Sequence, residues 1–145
     1  MQKRVRNGAS LDDVILHLLH RASQRADDIF AKQVGEIGLT ARQFAVQLTV
    51  AESTSPSQTD IVRDTGIDRS TVAVMVRRMA RNGLLQRRRS RGDARAYVVQ
   101  LTETGRRALN SAQRNGRRAD TALLAHLSDD QRKAFVEALK AISAA

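Results

Sequence analysis

The sequence predicts a mainly α fold carrying one small β-hairpin, with helices at both chain ends. Three observations carry that expectation. The 145 residues include 60 apolar ones, of which 21 are Ala and only four aromatic, and there is a single Pro, a composition that favours helix. Apolar positions recur at three- and four-residue steps along most of the chain and change to a strand-like pattern only between residues 85 and 101. Capping residues and glycines punctuate the periodic segments. Only 39 apolar side chains exceed a methyl group, a thin core that favours burying further apolar surface against a second copy of the chain.

A first helix over residues 11–34 follows from Leu11, Val14, Ile15, Leu18, Leu19, Ala22, Ala26, Ile29 and Phe30, whose spacing predicts one buried stripe. Ser10 with Asp13 is its expected N-terminal cap, and Gly35 and Gly38 are its stops. Thr40 and Gln43 form a capping box for a second helix through Phe44, Val46, Leu48 and Val50, which the polar stretch 52–57 ends. Residues 57–66 then read as a short helix capped by Ser57 and closed by Gly66. Asp68 caps the next one, 68–82, with a stripe of Val72, Met75, Val76 and Met79 and Gly83 at its end. Two helices joined by a short Gly-containing turn are a helix-turn-helix.

After Gly83 the pattern gives a strand at 85–89, a polar turn at 90–93 and a strand at 94–101, a basic hairpin placed as a wing. From Thr102 onwards Ala108, Leu109, Ala112, Ala119, Leu123 and Leu127 keep near-heptad spacing, with Gly116 expected to bend the helix or admit a neighbour. Ser128 and Gln131 cap a terminal helix with the stripe Phe135, Ala138, Leu139 and Ile142. The expected organisation is a winged helix-turn-helix at 40–101 within a helical dimerisation region, 1–39 and 102–145.

Charge points to the partner. Lys and Arg outnumber Asp and Glu by 25 to 15, and residues 77–95 hold eight Arg against one Asp. Such a segment repels itself unless it lies along a polyanion, either nucleic acid or an anionic membrane. The longest apolar run is five residues, far short of the ~20 a membrane helix needs. The basic start (Lys3, Arg4, Arg6) runs into Asp12 and Asp13 without the apolar stretch of a secretory signal, so a cytoplasmic location is expected. The absence of Cys excludes disulfides, thiolate catalysis, thiol redox sensing and Cys-ligated zinc.

On this pattern duplex DNA is the expected partner. Arg69, Ser70 and Thr71, in the first turn of the second helix of the pair, reach base edges or phosphates. Arg77, Arg78 and Arg81 mostly contact phosphates. Ser57 and Gln58 at the start of the preceding helix, with Arg87 and Arg91 on the hairpin, complete the set. Asp93 and Arg95, two apart on a strand, share a face, so the carboxylate either aims the guanidinium into a minor groove or makes an ordinary surface ion pair. The alternative for the whole segment is a small α+β domain with a solvated basic surface.

Elsewhere the signals are weaker. His17 and His20 stand at i, i+3, with His126 remote, and without a further ligand they read as surface or pocket histidines; no metal and no cofactor are expected. Arg21 and Arg25 at i, i+4 are either a solvated face or an anion clamp. Phe44 reads as core. No nucleophile–base motif or Gly-rich phosphate loop is present, so no enzyme activity is expected.

The motifs "LTARQFAV" at 39–46, "SQTDIVRDTGIDRSTV" at 57–72, "NGLLQRRR" at 82–89, "DAR" at 93–95 and "LTETG" at 101–105 resemble those of the MarR family of bacterial transcriptional regulators. The resemblance implies a homodimer held by the terminal helices, two winged lobes on a pseudo-palindromic operator, and repression relieved by a small aromatic ligand. It matches Ser70 and Thr71 to recognition-helix contacts and Asp93 with Arg95 to the wing pair. Ala73 and Val74 depart from the polar residues often found there, which implies reduced base readout from that turn. It also places His17, His20, Arg21, Arg25 and Phe44 near the ligand pocket. The likeness is greatest to regulators of aromatic-acid breakdown, so the expected effector is an anionic aromatic, either a free acid or a CoA thioester. An architectural DNA binder with no ligand response is the alternative.

Overall fold

The computed structural model describes residues 10–144; the basic start at Lys3, Arg4 and Arg6 lies outside them. A 3-10 turn, Leu11–Asp13, precedes α1 (Ile15–Val34), and a second, Gly35–Ile37, leads to α2 (Ala41–Glu52). There follow α3 (Gln58–Thr65), α4 (Arg69–Arg81), the antiparallel strands β1 (Leu85–Arg89) and β2 (Tyr97–Leu101), α5 (Glu103–Leu123) and α6 (Asp129–Ser143).

The caps act as their chemistry dictates. Thr40 with Gln43 and Ser128 with Gln131 form complete capping boxes, and Ser57 forms another with Asp60. Gly66 takes φ +68° to close α3, a left-handed conformation that L side chains resist. The first helix departs from expectation: Ser10 accepts the N–H of Asp12 within the 3-10 turn, and Val14 is extended (ψ 105°), so the α-helix begins only at Ile15.

Two apolar clusters make the core. Val46, Val50, Ile61, Val72, Val76, Met79, Leu85 and Val99 fill the winged helix-turn-helix. Phe30, Val34, Leu39, Ala112 and Ala119 join α1 to α5. Leu84 packs against both. Its carbonyl accepts the Thr102 N–H at 3.1 Å, and a Cβ on Gly105 would stand 1.9 Å from that carbonyl oxygen, so only glycine lets α5 start there. Gln47 on α2 is fully buried, and neither of its amide atoms has a hydrogen-bond partner.

The expected buried stripe of α1 is corrected. Phe30 is buried and Ala26 and Ile29 half-buried, but Leu11, Val14, Ile15, Leu18, Leu19 and Ala22 are exposed, because among the described residues no other element lies over that half of the helix. On α6 no residue is fully buried, and Ile142 is 68% exposed. Arg132 ties the start of α6 back to the end of α5 by donating to the carbonyls of Leu124 and Leu127. Gly116 stands inside an unbroken α5, facing Phe30.

Candidate functional site

The exposed face of α4 follows from its buried one. With Val72, Val76 and Met79 turned into the core, the helix presents Ser70, Val74, Arg77 and Arg81 outward within about 60° of arc. Arg78 and Thr71 lie beside them. Asp68 caps the helix by accepting the Thr71 N–H at 2.9 Å and the Ser70 hydroxyl at 2.6 Å. These bonds, with that of Ser70 first, hold its carboxyl well below the ordinary carboxylate range. In this arrangement the Ser70 hydroxyl donates to Asp68 and its oxygen is left to accept. Arg69 reaches back to Thr59 of α3 at 3.4 Å.

Ser57 and Gln58 stand half-buried at the start of α3. Asp60 accepts the Ser57 N–H and hydroxyl and then Arg63, and these bonds lower its pKa in that order. Arg63 pairs with both Asp60 and Asp64, so its charge is answered within the helix.

The wing contrasts with it. Arg89 faces Tyr97 and Arg87 faces Val99 in the ladder, so both arginines share the Tyr97 face near the hairpin tip. Their guanidiniums stand 5.9 and 5.1 Å from the centroid of the Tyr97 ring, so two cations share one phenol in cation–π contacts. The Pro56 carbonyl accepts the Val99 N–H at 2.8 Å, tying the hairpin to the loop before α3. Among the described residues none of the eight arginines of residues 77–95 forms an ion pair. Their charge is unanswered among the described residues, and it lies on one helix and one hairpin.

Asp93 and Arg95 need a correction. The strand begins at Tyr97, not at 94, and the Asp93 carboxylate accepts the backbone N–H of Arg95 at 2.9 Å. A short carboxylate captures the amide two residues on more readily than a distant guanidinium, which makes an Asx turn. The side chain of Arg95 is exposed and unpaired at the tip.

Behind this surface a cavity of about 450 Å³ opens between α1, α2 and α5. Phe30 and Phe44, ring centroids 5.5 Å apart, form its aromatic wall, and Gln113, Arg117 and Asp120 of α5 supply polar groups around Gly116. Of the five residues expected at a ligand pocket only Phe44 lines it. Arg21 and Arg25 line a separate groove along α1 with Asp28 and Lys32, on the side of the helix away from Phe30, because nine residues of helix turn Phe30 to nearly the opposite face from Arg21. His17 is half-buried and His20 exposed, and neither borders the cavity or that groove. The polar residues of α5 were missed because its apolar spacing drew attention to packing; Gln113, Gly116, Arg117 and Asp120, at three- and four-residue steps, mark the same face. Tyr97 was legible only through strand register.

Among the described residues no cluster of His, Asp or Glu could hold a metal ion, and no helix is long and apolar enough to cross a membrane.

A helix pair whose second member presents an arginine-flanked outer face, followed by an unneutralised basic hairpin, defines a winged helix-turn-helix DNA-binding module. Residues 39–97 match the MarR family. The chain is 29% identical over 124 residues to the HTH-type transcriptional repressor NicR of Pseudomonas putida, covering 86% of this chain and 78% of NicR. Its fold matches BpsR of Bordetella bronchiseptica, whose DNA binding is regulated by 6-hydroxynicotinic acid, with TM-score 0.88, 29% identity and coverage of 96% and 99%. It also matches the PcaV regulator of Streptomyces coelicolor in complex with its natural ligand, with TM-score 0.87, 28% identity and coverage of 95% and 97%. The MarR-family match over residues 39–97 and these relatives identify the chain as a DNA-binding transcriptional regulator, not an enzyme.

Proposed function

We propose that this protein is a homodimeric, ligand-responsive repressor of aromatic-compound catabolism genes, acting in the cytoplasm on a pseudo-palindromic operator. The observation that carries the ligand response is the cavity walled by Phe30 and Phe44, because it lies where α1 and α5 meet α2 and so touches both the helical region and the DNA-binding lobe. An aromatic ring fits between such walls, and Arg117 gives its carboxylate a charged partner. BpsR, regulated by an aromatic acid, supports the same reading. Two effector classes divide by size. A free aromatic acid is satisfied within the cavity, whereas a CoA thioester needs a further phosphate anchor, for which the groove of Arg21, Arg25 and Lys32 is the basic surface on α1.

A ligand that fits only one spacing of the DNA-binding lobes lowers operator affinity by linkage, by ~1–3 kcal/mol in typical allosteric systems. The test is a gel shift on the DNA flanking the protein's own gene, challenged with hydroxylated benzoic and nicotinic acids and their CoA thioesters. Release by one of them, lost in Arg117→Ala for a free acid and in the Arg21→Ala, Arg25→Ala double variant for a thioester, is the expected result. Binding that ignores every compound and shows no sequence preference would favour an architectural DNA binder.

A further inference from the structure

We infer that Val74 reads the 5-methyl group of a thymine in the major groove, making it a specificity-determining residue of α4. The inference rests on the DNA-binding reading of that helix. Val74 is 57% exposed, and the other exposed large apolar side chains among the described residues lie elsewhere: on the first half of α1 and the turn before it, on α6, or, as Tyr97, against two arginines. Val74 sits instead in the middle of the outward face, one turn beyond Ser70 and one turn before Arg77 and Arg78. Among the described residues none covers it. A β-branched side chain at an exposed helical position lowers helix propensity, and here it adds no burial in return while the DNA is absent.

The chemistry of the groove supplies what it lacks. Base edges in the major groove present donors, acceptors and a single apolar feature, the thymine methyl, which apolar side chains contact. Phosphates and the other base edges would leave a valine methyl against polar atoms. Its neighbours on the face fit the same placement: Ser70, its hydroxyl donating to Asp68, has its oxygen left to accept, and Arg77 and Arg81 further along carry charge toward the backbone. The two methyls of Val74 therefore dock on a methyl of the DNA, close to the helix N-terminus where base contacts concentrate.

The full chain is used to select duplexes from a random pool, and each thymine of the resulting consensus is then replaced by deoxyuridine, which removes the methyl and nothing else. One symmetry-related pair of positions should lose affinity by about fourfold per half-site, the worth of burying one methyl-sized group. In Val74→Ala that uracil penalty should vanish, and the variant should bind the thymine duplex about as weakly as the wild type binds the uracil one. Val74→Thr, which keeps one methyl in the same branched shape, should retain part of the penalty. Circular dichroism checks that the helices persist. A uracil penalty that survives in Val74→Ala, or no uracil-sensitive position at all, overturns the assignment of Val74 while leaving DNA binding intact. A pool from which no sequence is enriched overturns the sequence-specific reading itself.

Discussion

Asp68 caps α4, the proposed DNA-facing helix, and accepts the Ser70 hydroxyl, so its ionisation is coupled to folding. Its pKa in the folded chain lies below the ordinary 3.8, because the hydroxyls and the amide around it favour the anion. The stabilisation is then present in full above that value and is lost as pH falls through the folded pKa. Asn caps a helix as well but does not titrate. Asp68→Asn is expected to keep the melting temperature nearly unchanged at neutral pH and to lose less of it than the wild type as pH falls from about 5 to about 2, which thermal denaturation across that range checks. Two glycines of α5 make opposite expectations. At Gly105 a methyl would overlap the Leu84 carbonyl, so Gly105→Ala should cost roughly 3 kcal/mol or more in urea denaturation. At Gly116 a Cβ would meet only a Phe30 ring carbon, at 3.8 Å, so Gly116→Ala should add up to about 1 kcal/mol through helix propensity. The same methyl narrows the cavity and should weaken effector binding.

At the scale of elements, the proposed DNA contacts divide between the wing and α4. Arg95 is exposed on a tip shaped by the Asp93 turn and the bond from Arg89 to the Ala94 carbonyl, whereas Arg78 lies toward the end of the helix. Arg95→Ala should cost on the order of 1–3 kcal/mol, concentrated on A·T-rich flanks. Arg78→Ala should weaken specific and random DNA alike and lower the salt slope by roughly one. Fluorescence anisotropy against salt concentration separates the two, and equal losses on both kinds of DNA for Arg95→Ala would refute its reading of the groove. How far such elements were legible depends on the range of the interactions that make them. Capping boxes are local, so Thr40 with Gln43 and Ser128 with Gln131 could be read from four consecutive residues, as could Gly66. The start of β2 was not, since the Asx turn of Asp93 competes with strand formation and alternation alone does not price that competition. The stripe of α1 was legible as apolar but not as exposed, because periodicity tells which residues share a face and says nothing of what covers it. The cavity was least legible, being assembled from three helices distant in sequence.

The whole chain leaves Ile15, Leu16, Leu18 and Leu19 exposed at one end and Val136 and Ile142 at the other. Apolar surface on this scale marks an association site, and for a chain with so few large side chains a second copy is the economical cover. Sedimentation in dilute buffer should show a dimer, and a Leu19→Asp, Ile142→Asp variant should shift it toward monomer and weaken binding to duplexes carrying two half-sites about 10 bp apart. A stable monomer that binds one half-site as tightly as both would contradict it. The place of Leu84, shared by the two apolar clusters and bonded through its carbonyl to the first turn of α5, bears on time as well as on shape. A joint that both halves need leaves neither free to open by itself, so the DNA-binding lobe and the α1–α5 pair should behave as one cooperative foldon. Under native conditions the slowest-exchanging amide protons of β1 and of the middle of α5 should then report a common opening free energy and respond to urea with the same slope.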